Sequence, residues 1–146
     1  MLDSYRDLID GLLETPTRLR ELLGEPVSGD LSDEALAILR EFRVREGEQL
    51  ARIQKVMFQR NSRLKSIETE VSQAMNNADP DATGEQLLHD FGTDRGEVVS
   101  LLINLTLSDW DRPVDDETLG EITFAEEVER HLDWDEETVE KLRGML

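Results

Sequence analysis

Two ionisable side chains near the C-terminal end, His131 and Asp135, stand four residues apart in an apolar-periodic stretch, so a helix places them on one face. Such a pair can share a proton, or offer a nitrogen and an oxygen to a divalent metal. Two ligands are too few for a metal site, and the plainer reading is a His–Asp hydrogen bond at a helix surface. The only other histidine, His89, follows Leu87 and Leu88 and reads as an ordinary packed or exposed helix residue. Asp79-Pro80-Asp81-Ala82-Thr83-Gly84 spaces oxygen ligands at alternate positions with glycine sixth, as a calcium loop does. Its twelfth residue is Asp90 rather than a bidentate glutamate, and Thr83 and Gln86 form a capping box that starts a helix inside the loop. A loop-to-helix junction is therefore expected. Asp133-Trp134-Asp135-Glu136-Glu137 is an acidic helix face in which the Trp134 indole has something apolar to cover. There is no glycine-rich phosphate cradle, and two histidines give no basis for a Ser/His/Asp set.

Composition narrows the chemistry further. The chain has 146 residues, of a size for one domain spanning 1–146. Asp and Glu number 34 against 16 Lys and Arg, for a net charge of −18. That balance argues against a nucleic-acid binder, which needs a basic stripe, and against docking on an anionic membrane. No apolar run approaches the roughly 18 residues of a transmembrane helix, and no signal-peptide pattern opens the chain. The absence of cysteine excludes disulfides, thiolate zinc sites and cysteine nucleophiles. A cytoplasmic protein is expected. Lysine occurs only at Lys55, Lys65 and Lys141. An acidic, lysine-poor surface suits a protein of concentrated salt, a GC-rich genome, or one that meets a basic partner.

Four helical stretches must position these residues. The first runs from about Leu2 to Leu23, with Leu2, Tyr5, Ile9, Leu12, Leu13, Leu19, Leu22 and Leu23 as its stripe. Pro16 predicts a kink or break there, and Gly24 and Pro26 a stop. The second starts at the N-cap Ser32 and carries two apolar faces, Leu36-Leu39-Phe42 and Leu50-Ile53-Val56-Met57. Between them lies the polar stretch from Arg43 to Gln49, read either as solvent-facing or as the wall of a polar cleft. A long connection from Asn61 to Pro80 holds a short helix around Ile67 to Met75. Capping boxes at Thr83/Gln86 and Thr123/Glu126 open the third and fourth helices. Trp110 is expected to anchor the connection between them. The architecture expected is an all-α four-helix bundle with one long connection between helices two and three.

Leu105-Thr106-Leu107-Ser108-Asp109-Trp110-Asp111-Arg112-Pro113-Val114, followed by Gly120-Glu121-Ile122-Thr123-Phe124, resembles the C-terminal half of DinB-like proteins, with their Trp-x-Arg loop and Gly-Glu-Val-Thr-Leu lead into the last helix. Arg52-Ile53 through Asn61-Ser62-Arg63-Leu64-Lys65-Ser66-Ile67-Glu68 is similar to that family's second helix and the Asn-Pro-Arg-Leu-Pro stretch that follows it. Leu8-Ile9-Asp10 through Thr17-Arg18-Leu19 is similar to its first helix. The resemblance implies a four-helix bundle, often dimeric, holding a divalent metal on three histidines. It further implies thiol-dependent transferase, isomerase or metal-dependent hydrolase activity.

Carried over residue by residue, the ligands are missing. Ile38 stands at the second-helix histidine, and Trp134 and Thr138 at the His-x-x-x-His pair of the last helix. Ile and Trp offer no lone pair suited to a divalent cation, and a lone Thr hydroxyl is a weak ligand. Burying Ile38 and Trp134 instead would stabilise the bundle by roughly 2 kcal/mol each, making the cleft part of the core or an apolar pocket. The expectation is a DinB-like protein with a degenerate metal site and no cofactor, acting as a non-enzymatic binding or interaction protein for an unidentified small molecule. A homodimer through helices one and three accompanies it. The alternative is a thiol transferase or hydrolase with a rearranged zinc or nickel site around His131, Asp135 and Glu41.

Overall fold

The computed structural model describes residues 2–59 and 63–146, and side chains from residue 5 onward. Asn61 and Ser62 of the family-like stretch, and the Leu2 side chain of the first stripe, lie outside the described residues. The chain is mostly helical. Helix α1 (Leu2–Leu23) passes through Pro16 as one helix, so of the kink or break expected there the break does not occur. Proline lacks an N–H, so the carbonyl four residues back loses its intrahelical donor. That carbonyl is Leu12, and Arg95 Nη1 donates to it at 2.7 Å. Gly24, at φ +95°, ends the helix as predicted. Leu13, assigned to the apolar stripe, is instead about half exposed.

Helix α2 (Asp33–Phe58) is capped by Ser32, whose Oγ accepts from the Ala35 amide at 3.1 Å. Helix α3 (Ile67–Met75) is the short helix of the long connection. Helix α4 (Gly84–Ile103) opens on the Thr83/Gln86 capping box with both halves formed. This is the junction that outcompetes the calcium-loop reading, and Asp79 Oδ1 accepts from the Asp81 amide beside it. Helix α5 (Leu107–Trp110) is a single turn. Helix α6 (Phe124–Arg143) opens on the Thr123/Glu126 box.

The mostly helical structure agrees broadly with the all-α expectation, and to it is added a small sheet that sequence periodicity does not reveal. Strand β1 (Arg63–Leu64) pairs in parallel with β2 (Pro113–Asp116), which pairs antiparallel with β3 (Gly120–Thr123). Strands of two and four residues are too short to show an alternation. Gly120, at φ +76°, supplies the left-handed turn residue between β2 and β3. Trp110 anchors the connection as expected, buried in a 4.7 Å stack on Tyr5 and edge-on to Phe124.

Helix α1 lies along α6 and α4, and α2 along α4, α3 and α6. Contacts rise together between α2 and α4 (Arg43 with Asp90 and Asp94, Glu46 with Arg95) and fall between α1 and α4 (Leu12 with Arg95, Arg20 with Glu85). Helices α2 and α4 are therefore parallel to each other and antiparallel to α1, so the chain after α2 must return the length of a helix. That is the physical reason for the long connection. Two apolar clusters fill the interior, one around Leu19, Leu39, Phe42, Phe91 and Leu142, the other around Leu12, Ile53, Val98, Trp110 and Phe124. Among the described residues no helix is long and apolar enough to cross a membrane.

Candidate functional site

A polar layer separates the two apolar clusters, and each long helix contributes to it by interrupting its own stripe. Helix α1 places Thr15 between Leu12 and Leu19, and α4 places Arg95 between Phe91 and Val98. Helix α2 places Glu46 and Gln49 between Phe42 and Ile53, and α6 places His131 and Asp135 between Val128 and Val139. All six polar residues are buried. The polar middle of helix two is thus the wall of an interior site rather than a solvent-facing stretch.

Arg95 is the centre of the layer and is 1% exposed. Its Nε and Nη2 donate to the two oxygens of Glu46 at 2.6 and 2.7 Å. Nη1 donates to Asp135 Oδ2 and to the Leu12 carbonyl, both at 2.7 Å, and Nη2 also donates to Asp135 Oδ1 at 3.1 Å. A guanidinium has five N–H donors, and each of the five has a partner here. Thr15 closes the ring by donating its hydroxyl to Asp135 Oδ2 at 2.8 Å. Burial would raise the Glu46 carboxyl, but the Arg95 and His131 charges and hydrogen bonds overcome it and hold the group at about 2. Burial opposes the Arg95 charge likewise, yet Glu46 and Asp135 raise its pKa above the ordinary value.

His131 meets Glu46 as well, with Nε2 2.7 Å from Oε1. An ionised carboxylate only accepts, so Nε2 carries the proton and donates it. The 3.2 Å approach of Arg95 Nη2 to the same nitrogen is then a close contact rather than a hydrogen bond. His131 Nδ1 is buried with no hydrogen-bond partner.

A second node lies one to two turns further along α2. Arg52 donates from Nε and Nη2 to Glu127 on α6 at 2.7–3.0 Å, from Nη2 to Asp116 Oδ2 of β2 at 3.0 Å, and from Nη1 to the Lys65 carbonyl. Asp116 Oδ1 accepts from the Thr118 and Leu119 amides, which fixes the β2–β3 turn against the helices. Burial alone would raise the Asp116 carboxyl; those amides and Arg52 lower it instead. Arg45 lays its guanidinium 4.5 Å over the Trp134 ring and donates to Glu68 at 2.9 Å. Between these groups opens a pocket of about 390 Å³, walled by residues that include Arg45, Gln49, Arg52, His131 and Trp134.

The residues singled out from sequence divide accordingly. Ile38 is buried in the apolar cluster that Trp134 packs against, and Trp134 meets Phe42 edge-on at 5.0 Å. Thr138 is buried one turn further along α6. None of the three offers a metal a ligand set, so the residues at the family positions do not fit the group that the resemblance implies. Ile38 and Trp134 thus pack with the core, one of the two outcomes expected of that cleft, and the pocket beside Trp134 is a separate one that Ile38 and Thr138 do not line. His131 and Asp135 do come together, but in the interior rather than at a surface, and through Arg95 and Glu46 rather than with each other. Glu46, not Glu41, is the carboxylate that α2 brings to them. His89 is exposed. Among the described residues no three His, Asp or Glu side chains are arranged to hold a metal ion. Sequence reading missed Arg95 and Arg52, and reached Arg45 and Glu46 only as members of the polar stretch from Arg43 to Gln49. The chain matches no family model, no curated protein and no solved structure.

Proposed function

We propose that the chain is a DinB-like four-helix bundle that binds a small dipolar molecule without converting it, as a cytoplasmic homodimer. The observation that carries this reading is the pocket of about 390 Å³ beside Trp134, a volume suited to a small ligand. Its inner charges are already matched, Arg45 with Glu68 and Arg52 with Glu127 and Asp116. At its edge stand the exposed Arg130, Asp133 and Glu137. Charges of both signs favour a ligand that itself carries both, whereas a plain anion meets the repulsion of a chain at −18. Amino acids, amines and carboxylates tested by thermal shift and tryptophan fluorescence decide the matter. A dipolar compound is expected to raise Tm and perturb Trp134, with Arg130→Gln weakening the effect. No shift from any of the three classes overturns the reading.

One observation favours the enzyme alternative. A carboxylate that accepts a hydrogen bond from the Nε2–H of a histidine and leaves Nδ1 without a partner is the arrangement that orients a general base. Turnover of thiol adducts or esters that His131→Asn abolishes, with the fold intact, would replace binding by catalysis.

A further inference from the structure

Among the described residues three buried side-chain nitrogens have no hydrogen-bond partner, and two of them, Arg45 Nε and His131 Nδ1, belong to residues that wall the pocket beside Trp134. Both side chains are more than nine-tenths buried, with Arg45 5% and His131 3% exposed. A buried polar atom left unpaired is costly, and two such atoms on one pocket point to a ligand that pairs them. We propose, on the dipolar reading of this pocket, that its ligand is a zwitterion with at least one ammonium N–H. That N–H donates to His131 Nδ1, while a carboxylate of the same molecule accepts from Arg45 Nε.

The two nitrogens are opposite in kind. His131 donates its Nε2–H to Glu46, so the neutral ring keeps its lone pair on Nδ1 and only accepts there. Arg45 Nε–H only donates. Both side chains are held by their other contacts. Arg45 donates from Nη1 to Glu68 at 2.9 Å and lays its guanidinium 4.5 Å over the Trp134 ring. His131 is held by Glu46, whose two oxygens are themselves held by Arg95. The other inner cation of the pocket, Arg52, has each of its three nitrogens engaged, by Glu127, Asp116 and the Lys65 carbonyl. Charge then selects the class of ligand. A donor on a guanidinium prefers an anionic acceptor, and Glu127, Asp133 and Glu137 in the same wall favour a cationic donor. A quaternary ammonium has the charge but no N–H, so it leaves Nδ1 unpaired.

The test titrates the native chain with free glycine and free alanine, each carrying zero to three N-methyl groups, and follows tryptophan fluorescence and Tm. Affinity is expected to persist through the dimethyl form, which keeps one N–H, and to drop about tenfold or more at the trimethyl form. A steric limit would weaken binding with each added methyl, and such a graded loss overturns the proposal. So does a trimethyl form that binds like the dimethyl one. In protein labelled with nitrogen-15 at histidine, the amino acid should move the His131 Nδ1 resonance and leave the exposed His89 in place. A stationary His131 signal on saturation overturns the proposal. Arg45→Lys keeps the charge but loses the Nε–H, and should weaken all forms by a common factor; unchanged affinity overturns the pairing with Arg45. Acetamide offers a donor and an acceptor without charge, and binding as tight as that of the amino acids overturns the zwitterion class. If neither series binds, this assignment fails, whereas the dipolar reading fails only when the other amino acids, the amines and the carboxylates fail as well.

Discussion

Arg95 is a single residue on which four helices depend, and its removal tests what a buried ion network contributes. Taking two carboxylates out of water is costly, and the guanidinium that meets both is the largest compensation Glu46 and Asp135 have, beside His131 and Thr15. Arg95→Met removes the guanidinium charge from both, leaving Glu46 with His131, Asp135 with Thr15 and the Leu12 carbonyl without a donor, so a loss of about 3–5 kcal/mol in urea unfolding is expected. Replacing an exposed arginine such as Arg18, paired only with Glu14 on the helix surface, should cost under about 1 kcal/mol. The same cluster sets a pH dependence whose direction follows from Glu46. Its carboxyl is held at about 2 in the folded chain against 4.5 ordinarily. In the window between those values the unfolded chain binds the proton and the folded chain does not. The contribution is therefore complete above about 4.5 and is lost as pH falls through about 2. Glu46→Gln has no such proton to take up, and its unfolding free energy should fall less steeply than that of the native chain between pH 5 and 2. Equal slopes would mean that Glu46 is not held ionised by Arg95 and His131.

At the scale of elements, capping residues made three helix starts legible, because a cap is a local hydrogen-bond problem solved within four residues. Ser32, Thr83 and Thr123 do in the structure what their spacing predicts. The strands were illegible for the opposite reason: a two-residue parallel pair such as Arg63–Leu64 with Asp115–Asp116 exists only through contact between distant segments. The site was half legible. Thr15, Glu46, Arg95 and His131 each break an apolar stripe at one level of the molecule, a coincidence visible once the four stripes are aligned by direction. Reading each helix alone paired His131 with Asp135 and made Glu41, rather than Glu46, the glutamate of the site. Pro16 shows how far such coupling reaches, since its effect on α1 depends on α4. An interior proline ordinarily costs about 3 kcal/mol or more, but here Arg95 supplies the donor that the Leu12 carbonyl lacks. Pro16→Ala should thus gain less stability in the native chain than in Arg95→Met, where that carbonyl has no donor. A double-mutant cycle measures the difference, and strict additivity would show that Arg95 does not offset the proline.

Across the whole molecule two forces act on the same charge. A homodimer must bring two chains of −18 together, and static light scattering at increasing salt should return about twice 16.7 kDa if apolar burial wins. A mass of one chain at every concentration and salt level would remove the dimer. The folded chain faces the same repulsion within itself, and salt separates the surface from the interior. At molar ionic strength the Debye length falls to about 3 Å, which screens exposed charges while buried pairs are screened far less. Exposed pairs such as Arg18–Glu14 and Arg143–Glu140 contribute little and so have little to lose. Relief of the acidic self-repulsion should dominate, and Tm should rise from low to molar potassium chloride. The penalty of Arg95→Met should stay nearly constant over the same range, because its partners are fully enclosed. Melts of both proteins in chloride, with sodium sulfate as a separate arm for generic salting-out, check the two statements together. A native Tm that is flat or falls with chloride would remove the self-repulsion argument. A penalty that shrinks with salt would mean that water and ions reach the Arg95 layer.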